Sequence, residues 1–488
     1  MTNMHIDLII GANTAAPSFA PLNSDSLINA LHVEQAVGTL VRLGPGGRYE
    51  PYLANQWSNS NDHKKWTFEI RQGLYCEDGT HINAPNFIAS LKTLIKMFSE
   101  HAPIPLIEKL TGYKPFVDGI TKELPGLRAI SPDTIELAFD TPVQAGLLEY
   151  LGLPFLGFYC PGNFDSSGKW KDSKKIISSA SYSIDAWDGI TPITLNKRRN
   201  WPLADEQSPS SVTIHRSTTV PTEATGRKVI LQFKQDEFPE SKDFQSVHLI
   251  PTSLFAIVLS PSKGSPFHIK QNRKAFQLKV RSLDFSSTSP QGQRTNRFYP
   301  HLSKDRESLP SPELETLSQA AEIKKVRIYG KHSSEKTPSS SLRYLIESSL
   351  DSLGTTYDYT QKTPAEQDMM NFRNFEHWDI RPTNVDIGGG IENQLIKFMF
   401  CSKLGVAFPD PSGRICALVN EYEEQFGDVV PKEAMEEYLN RFDQIIEEDA
   451  AVIPVLKSGK TWLVSPDLDA SFLSPTTAVP FFDLIRLK

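Results

Sequence analysis

The stretch from Trp66 to Phe98 constrains the fold most, because its apolar spacing changes period partway along. Trp66, Phe68 and Ile70 alternate with Thr67, Glu69 and Arg71, which places three large apolar groups on one face of a strand. Asp78-Gly79 then supplies a turn. Phe87, Ile88, Leu91, Leu94, Ile95 and Phe98 follow at helical spacing, with Pro85 near the first turn, where its missing N–H costs nothing. Strand, turn and helix in quick succession predict a mixed α/β chain. The same alternation recurs: His5 to Ile10 reads as a strand, as do Ile135, Leu137 and Phe139 after Ser131-Pro132-Asp133, and Val326 with Ile328. Leu342, Leu345, Ile346, Leu350 and Leu353 predict a helix that Gly354 ends. Met435, Tyr438, Leu439, Phe442, Ile445 and Ile446 predict a second, with Pro431 near its start and an apolar strand, Val452 to Leu456, after it. Residues 200–247 read loosely, with short β-like pieces at Ser211 to His215 and Lys228 to Phe233, and 282–312 reads as loop and short elements.

Composition narrows the function classes. A chain of 488 residues has room for two or three domains, and a net charge of −7 provides no basic field for nucleic acid or an anionic membrane. The most apolar stretches, such as Ile250 to Ser260, fall short of the roughly 18 residues a membrane span needs. Catalytic signatures are missing: no P-loop, H-E-x-x-H or nucleophile elbow occurs, and Gly388-Gly389-Gly390 is a turn signal. Glu447-Glu448-Asp449 reads as a solvated helix end, and His101, His248, His301 and His332 are isolated in sequence. A binder with no cofactor and no metal is expected, not an enzyme. Cys76, Cys160, Cys401 and Cys416 show no zinc or redox spacing. Cys401 and Cys416 lie close enough for a local disulfide contributing about 3 kcal/mol; buried free thiols are the alternative. The amino-terminal MTNMHIDLIIGANTAAPSF shows none of the three parts of a secretory leader. Either a cytoplasmic chain or a removed leader is therefore expected, and the cysteine usage favours the second.

A resemblance to a known family rests on residues 49–95. Pro51, Leu53, Ala54, Trp57, Phe68, Ile70, Arg71, Gly73, Asp78, Gly79, Ala84 and Phe87 fall where family 5 extracellular solute-binding proteins read P-x-L-A-x-x-W, F-x-L-R-x-G-V-x-F-x-D-G and L-T-A-x-D-V. That family comprises the oligopeptide, dipeptide and nickel receptors of ABC importers. Other segments are similar in family order: Ser18-Phe19-Ala20-Pro21 stands where members carry S-L-D-P, SYSIDAWDGITPITLNKRRNW resembles the return strand, and EYLNRFDQIIEEDAAVIPVLKSG resembles the terminal helix and strand. The likeness is strong over 40–200 and 430–465, weaker over 265–300, and thin over 200–245 and 300–425. Two departures stand out. The glycine-rich entry G-T-G-P-Y is replaced by Ser178-Ser179-Ala180-Ser181-Tyr182, and the acidic amine anchor of G-W-x-x-D has only Asp386 as counterpart, after an expected strand Phe375 to Ile380.

The resemblance implies a bilobal α/β fold of the periplasmic-binding-protein type, large class, with two hinge strands and closure of the lobes around ligand in the manner of a Venus flytrap. Lobe I is expected at 1–260 plus 458–488, with an extra subdomain at about 42–170, and lobe II at 261–457. Implied ligand contacts are Asn13, Phe19, Asn23 and Tyr159 from lobe I, and Trp378, Asn384 and Asp386 from lobe II, with Asp386 as amine anchor. The implied function is an extracytoplasmic, monomeric receptor that passes an oligopeptide or similar small solute to an ABC permease and meets the membrane only through that permease or a removed lipid anchor. The alternative is a cytoplasmic solute-sensing regulatory module of similar fold.

Overall fold

The computed structural model describes the chain apart from residues 1–3, 11–17, 22–26, 45–47, 100–103, 105, 144–145, 186, 188–191, 204, 218, 222, 233–242, 249–252, 284–292, 299–322, 330–337, 361–374, 387–395, 402–407, 428–429, 459 and 474–479. It divides into two units, Met1–Leu249 with Lys460–Lys488, and Ile250–Gly459. Among the described residues no helix is long and apolar enough to cross a membrane.

The first unit is built on a seven-stranded sheet with β1 (His5–Ile10) at its centre. β10 (Ser211–Arg216) and β11 (Arg227–Gln232) flank β1, both parallel to it. β9 (Ile193–Lys197) and β8 (Tyr182–Ile184) extend one side. β19 (Thr461–Val464) and β12 (Gln245–His248) extend the other. The region that reads loosely in sequence therefore contributes two strands to the middle of the sheet. Its residues are interrupted by Pro, Ser and Thr, and only pairing with β1 orders them. On one face, Ile6, Leu8 and Ile10 join Leu31, Val33 and Ala36 of α1 (Leu27–Ala36) in the main core.

A separate four-stranded sheet in this unit runs β4 (Ala54–Asn59), β5 (Lys65–Ile70), β7 (Thr134–Ala138) and β6 (Leu127–Ser131). Trp57 lies opposite Phe68 in the β4–β5 register, and Trp66, Phe68 and Ile70 are buried on one face as their alternation predicts. Gly79 turns with φ +85°, a conformation that favours glycine, and the Asp78 carboxylate accepts from Thr80 N–H at 3.0 Å. α2 (Ala84–Ser99) buries Phe87, Ile88, Leu91, Leu94 and Ile95. Asn83 Oδ1 accepts from Asn86 N–H at 3.0 Å and so caps its first turn. Short helices α3 (Tyr113–Val117) and α4 (Gly146–Leu151) and the two-stranded pairs β2 (Val41–Leu43) with β3 (Tyr49–Pro51) and β20 (Leu468–Asp469) with β21 (Arg486–Leu487) complete the unit.

The second unit has a six-stranded sheet: β14 (Gln293–Arg294), β18 (Val452–Ser458), β13 (Ser253–Leu259), β17 (Ile380–Asp386), β15 (Lys325–Tyr329) and β16 (Thr356–Thr360). A boundary at 260 would assign β13 to lobe I, whereas it pairs with β17 and β18 inside the second unit. The reason is its composition: Leu254 to Leu259 is apolar on both faces, and the two faces join two different cores of the second unit. The strand expected at Phe375 to Ile380 also shifts. Phe375 to Asp379 holds turn and bend conformations, and the strand begins at Ile380. Among the described residues, four α-helices pack in this unit: α5 (Lys270–Ser282), α6 (Pro338–Ser352), α7 (Arg414–Phe426) and α8 (Lys432–Asp449). Gly354 adopts φ +67° just past α6, and Pro431 stands immediately before α8.

All four cysteines are paired. Cys76 joins Cys160 across 84 positions, and Cys401 joins Cys416 across 15. The serines that replace the glycine-rich entry are buried and build the turn with their hydroxyls. Ser178 Oγ donates to Tyr182 O at 2.6 Å, Ser181 Oγ to Asp483 at 2.8 Å, and Ser179 Oγ accepts from Gly38 N–H at 3.0 Å. A Cβ on Gly38 would stand 2.6 Å from Ser179 O, so the facing segment needs a glycine there.

Candidate functional site

β1 reads HIDLII, an apolar strand with one carboxylate in its middle. Asp7 lies on the face shared with Ile9, opposite the main core, and is 1% exposed. A buried carboxylate is costly unless several donors reach it, and three segments supply them. His215 Nε2, on β10, lies 2.7 Å from Asp7 Oδ1; Gly226 N–H donates to Oδ2 at 2.6 Å; His5 Nε2 lies 3.4 Å from Oδ1. Gly226 is required here, because a Cβ would stand 2.7 Å from the His5 ring and 3.0 Å from Asp7 Oδ2.

His215 is 3% exposed, and with Nε2 on Asp7 its Nδ1 has no hydrogen-bond partner among the described residues. The same residue borders a cavity of about 270 Å³ at the carboxyl end of β10, together with His32, Trp187, Ile193, Arg216 and Ser217. The carboxyl ends of β1 and β10 form a topological switch point. The chain leaves β1 for α1 on the Ile6–Leu8–Ile10 face, and leaves β10 for a link whose Val220 packs with Ile9 on the other. In open α/β sheets ligands bind in the crevice that such a divergence leaves.

The residues implied by the resemblance are distributed differently. Asn13 and Asn23 lie outside the described residues. Phe19 and Tyr159 are core side chains of the first unit, each 1% exposed. Phe19 meets His32 edge-on at 6.3 Å, and Tyr159 meets Trp170 edge-on at 5.6 Å. Burial raises the Tyr159 phenol well above its ordinary range, and its hydroxyl has no partner among the described residues. Trp378 is fully buried in the second unit, against Phe375 at 5.3 Å and beneath the Arg381 guanidinium at 5.2 Å. Large aromatic groups contribute most when buried, which is why these three pack inside. Asn384 and Asp386 lie on β17, opposite Phe255 and Ser253 of β13; their side chains are outside the described residues. Sequence reasoning missed Asp7, His215 and the Cys76–Cys160 bond. The available signal was a lone aspartate inside an otherwise apolar strand.

Comparison with known proteins agrees with the architecture. Residues 48–279 match the family described as bacterial extracellular solute-binding proteins, family 5 Middle. The periplasmic murein peptide-binding protein MppA of Escherichia coli is 27% identical over 148 residues, 30% of this chain and 27% of that protein. A probable peptide ABC transporter periplasmic-binding protein of Sinorhizobium fredii is 31% identical over 74 residues, 15% of this chain and 14% of that protein. These sequence matches thus span about a quarter or less of the relatives' length. Fold likeness extends much further. The structure of E. coli murein tripeptide-binding protein MppA superposes with TM-score 0.76 at 17% identity, covering 100% of this chain and 99% of that one. Haemophilus influenzae OppA in complex with RPPGFSPFR gives TM-score 0.77 at 15% identity, with 100% and 99% covered. The match to the family 5 solute-binding model thus covers residues 48–279, a little under half of the chain, and the fold is shared along the whole length with the solved structures of MppA and OppA.

Proposed function

We propose that the protein is the solute-binding receptor of an ABC importer, taking an oligopeptide or similar small solute and presenting it to a permease. The observation that carries this reading is the family match over residues 48–279, joined to a fold shared end to end with peptide-binding receptors. A binder without catalytic activity fits a sequence that lacks nucleophile, P-loop and metalloprotease signatures. Disulfides persist in oxidising compartments, so the two bonds Cys76–Cys160 and Cys401–Cys416 support an extracytoplasmic location. They also favour transport over the cytoplasmic regulatory alternative.

Asp386 remains the proposed amine anchor. The test is mass spectrometry of small molecules released when the purified, full-length protein is gently denatured. Recovery of peptides is expected; recovery of only a sugar, a metal chelate or nothing across several preparations overturns the peptide reading. Asp386→Ala is expected to remove the thermal stabilisation conferred by the recovered ligand and to leave the unliganded melting temperature within about 2 °C.

A further inference from the structure

We propose that the cavity at the carboxyl ends of β1 and β10 is a binding pocket for a small apolar monocarboxylate, held by His215 Nδ1. Its position comes from an unusually short crossover. β10 ends at Arg216 and β11 begins at Arg227, with β1 between them in the sheet. Parallel strands are ordinarily joined by a dozen or more residues, usually helical; no helix occurs among the described residues of this link. A ten-residue link, 217–226, covers less of the strand ends than a helix does.

The chemistry follows from the ring. Asp7 engages Nε2, so that nitrogen carries the proton of the neutral imidazole and Nδ1 is the second site. When the ring is charged, Nδ1–H becomes a buried donor that faces no acceptor among the described residues, and a carboxylate supplies one. A charge-assisted hydrogen bond of this kind is about twice as strong as a neutral one. Arg216 places one fixed positive charge at the cavity border and Glu223 its single carboxylate, and the His32 imidazole is a further polar lining group. Trp187 and Ile193 provide an apolar wall. A volume of about 270 Å³ stands at the small end of ligand pockets, which begin at about 300 Å³, and therefore suits a single-ring acid.

The inference is independent of the peptide-receptor reading, since it concerns one imidazole in the first unit. The test uses full-length protein, phenylacetate as probe and phenylacetamide as its uncharged counterpart, read from the histidine imidazole resonances by NMR. His215→Gln assigns the His215 signal. Phenylacetate is expected to shift that signal saturably and to bind about tenfold or more tightly than phenylacetamide. Ser217→Glu, which adds a carboxylate at a partly buried lining position, is expected to abolish the shift; it keeps the test informative should His215→Gln fail to fold. Ala-Ala-Phe with a free or an amidated carboxyl end distinguishes sources: a shift with the free form alone assigns a peptide terminus, and a shift with phenylacetate alone assigns a free acid. No shift with any acid up to about 10 mM, or equal binding of acid and amide, overturns the proposal.

Discussion

The central strands of the two sheets, β1 in the first unit and β13 in the second, solve the same burial problem with different chemistry. β13 is apolar from Leu254 to Leu259, and every one of those side chains is buried. β1 is equally buried but carries Asp7, whose carboxylate is answered by His215 and Gly226, 208 and 219 positions away. The second sheet places its buried charge on the neighbouring β17, where the Arg381 guanidinium lies over the Trp378 and Phe408 rings at 5.2 and 5.8 Å. Burial pushes the Arg381 guanidinium down to about 9. The apolar strand needs only volume from its neighbours, whereas the strand with a carboxylate needs particular donors at particular distances. Stability in the first unit therefore depends on long-range polar closure to a degree that β13 does not share.

Five measurements probe that contrast. Replacing both Cys76 and Cys160 by serine is expected to destabilise the first unit to urea by about 4.5 kcal/mol, since the bond closes a long loop; the Cys401–Cys416 pair should cost about 3 kcal/mol. The reverse order would break the idea that the first unit relies more on distant links. Asp7→Ala is expected to cost about 4 kcal/mol, because it leaves the buried His215 and Gly226 donors unpaired. A loss under about 1 kcal/mol would show that water replaces the carboxylate easily. Ile257→Ala in β13 should cost about 3 kcal/mol through lost transfer energy and a residual cavity, and no change in the pH dependence of unfolding should accompany it.

Glu34 of α1 sharpens the comparison through pH. Burial raises its carboxyl from 4.5 to about 8, so between those values the folded chain holds a proton that the unfolded chain has released. Stability should therefore decline as pH rises through that window and level off above about 8. The decline should be on the order of 2 kcal/mol for this partly buried side chain, and Glu34→Gln should flatten it. A slope unchanged in the variant would assign the effect elsewhere. Asn83→Ala, which removes the cap of α2, carries the smallest expected effect, about 1 kcal/mol.

Much of the scaffold was legible in the residues. The period-two run at Trp66 to Ile70, the turn at Asp78-Gly79 and the stripe of α2 follow from local spacing, and the structure has each where the spacing predicts it. The carboxyl-terminal helix and the strand after it are equally local. β10 and β11 read in sequence only as isolated pieces in a loose region, because their order comes from pairing with β1 more than 200 positions earlier. The turn at 178–182 departs visibly from the family pattern, but its solution, three buried hydroxyl bonds with segments at 36–38 and 483, is invisible without the fold.

The candidate site shows the same division. The resemblance implies Phe19, Tyr159 and Trp378 as aromatic groups of a ligand surface, and the structure buries all three in cores. An aromatic residue type does not distinguish a cavity wall from a packed interior; only its neighbours do. Neither Asp7 nor His215 belongs to a catalytic or ligand motif, and the 2.7 Å between them exists only after two parallel strands register Ile9 against His215.

The sequence alone determined an α/β chain with a family 5 resemblance over contiguous motifs, since strand and helix periodicities are set by nearest-neighbour geometry. Tertiary structure decided that β13 belongs to the second unit, that Cys76 meets Cys160, and that one carboxylate in β1 meets a histidine beside a cavity. Those outcomes depend on contacts between residues tens to hundreds of positions apart, and the chain order of the residues does not encode which distant partner will satisfy a buried polar group.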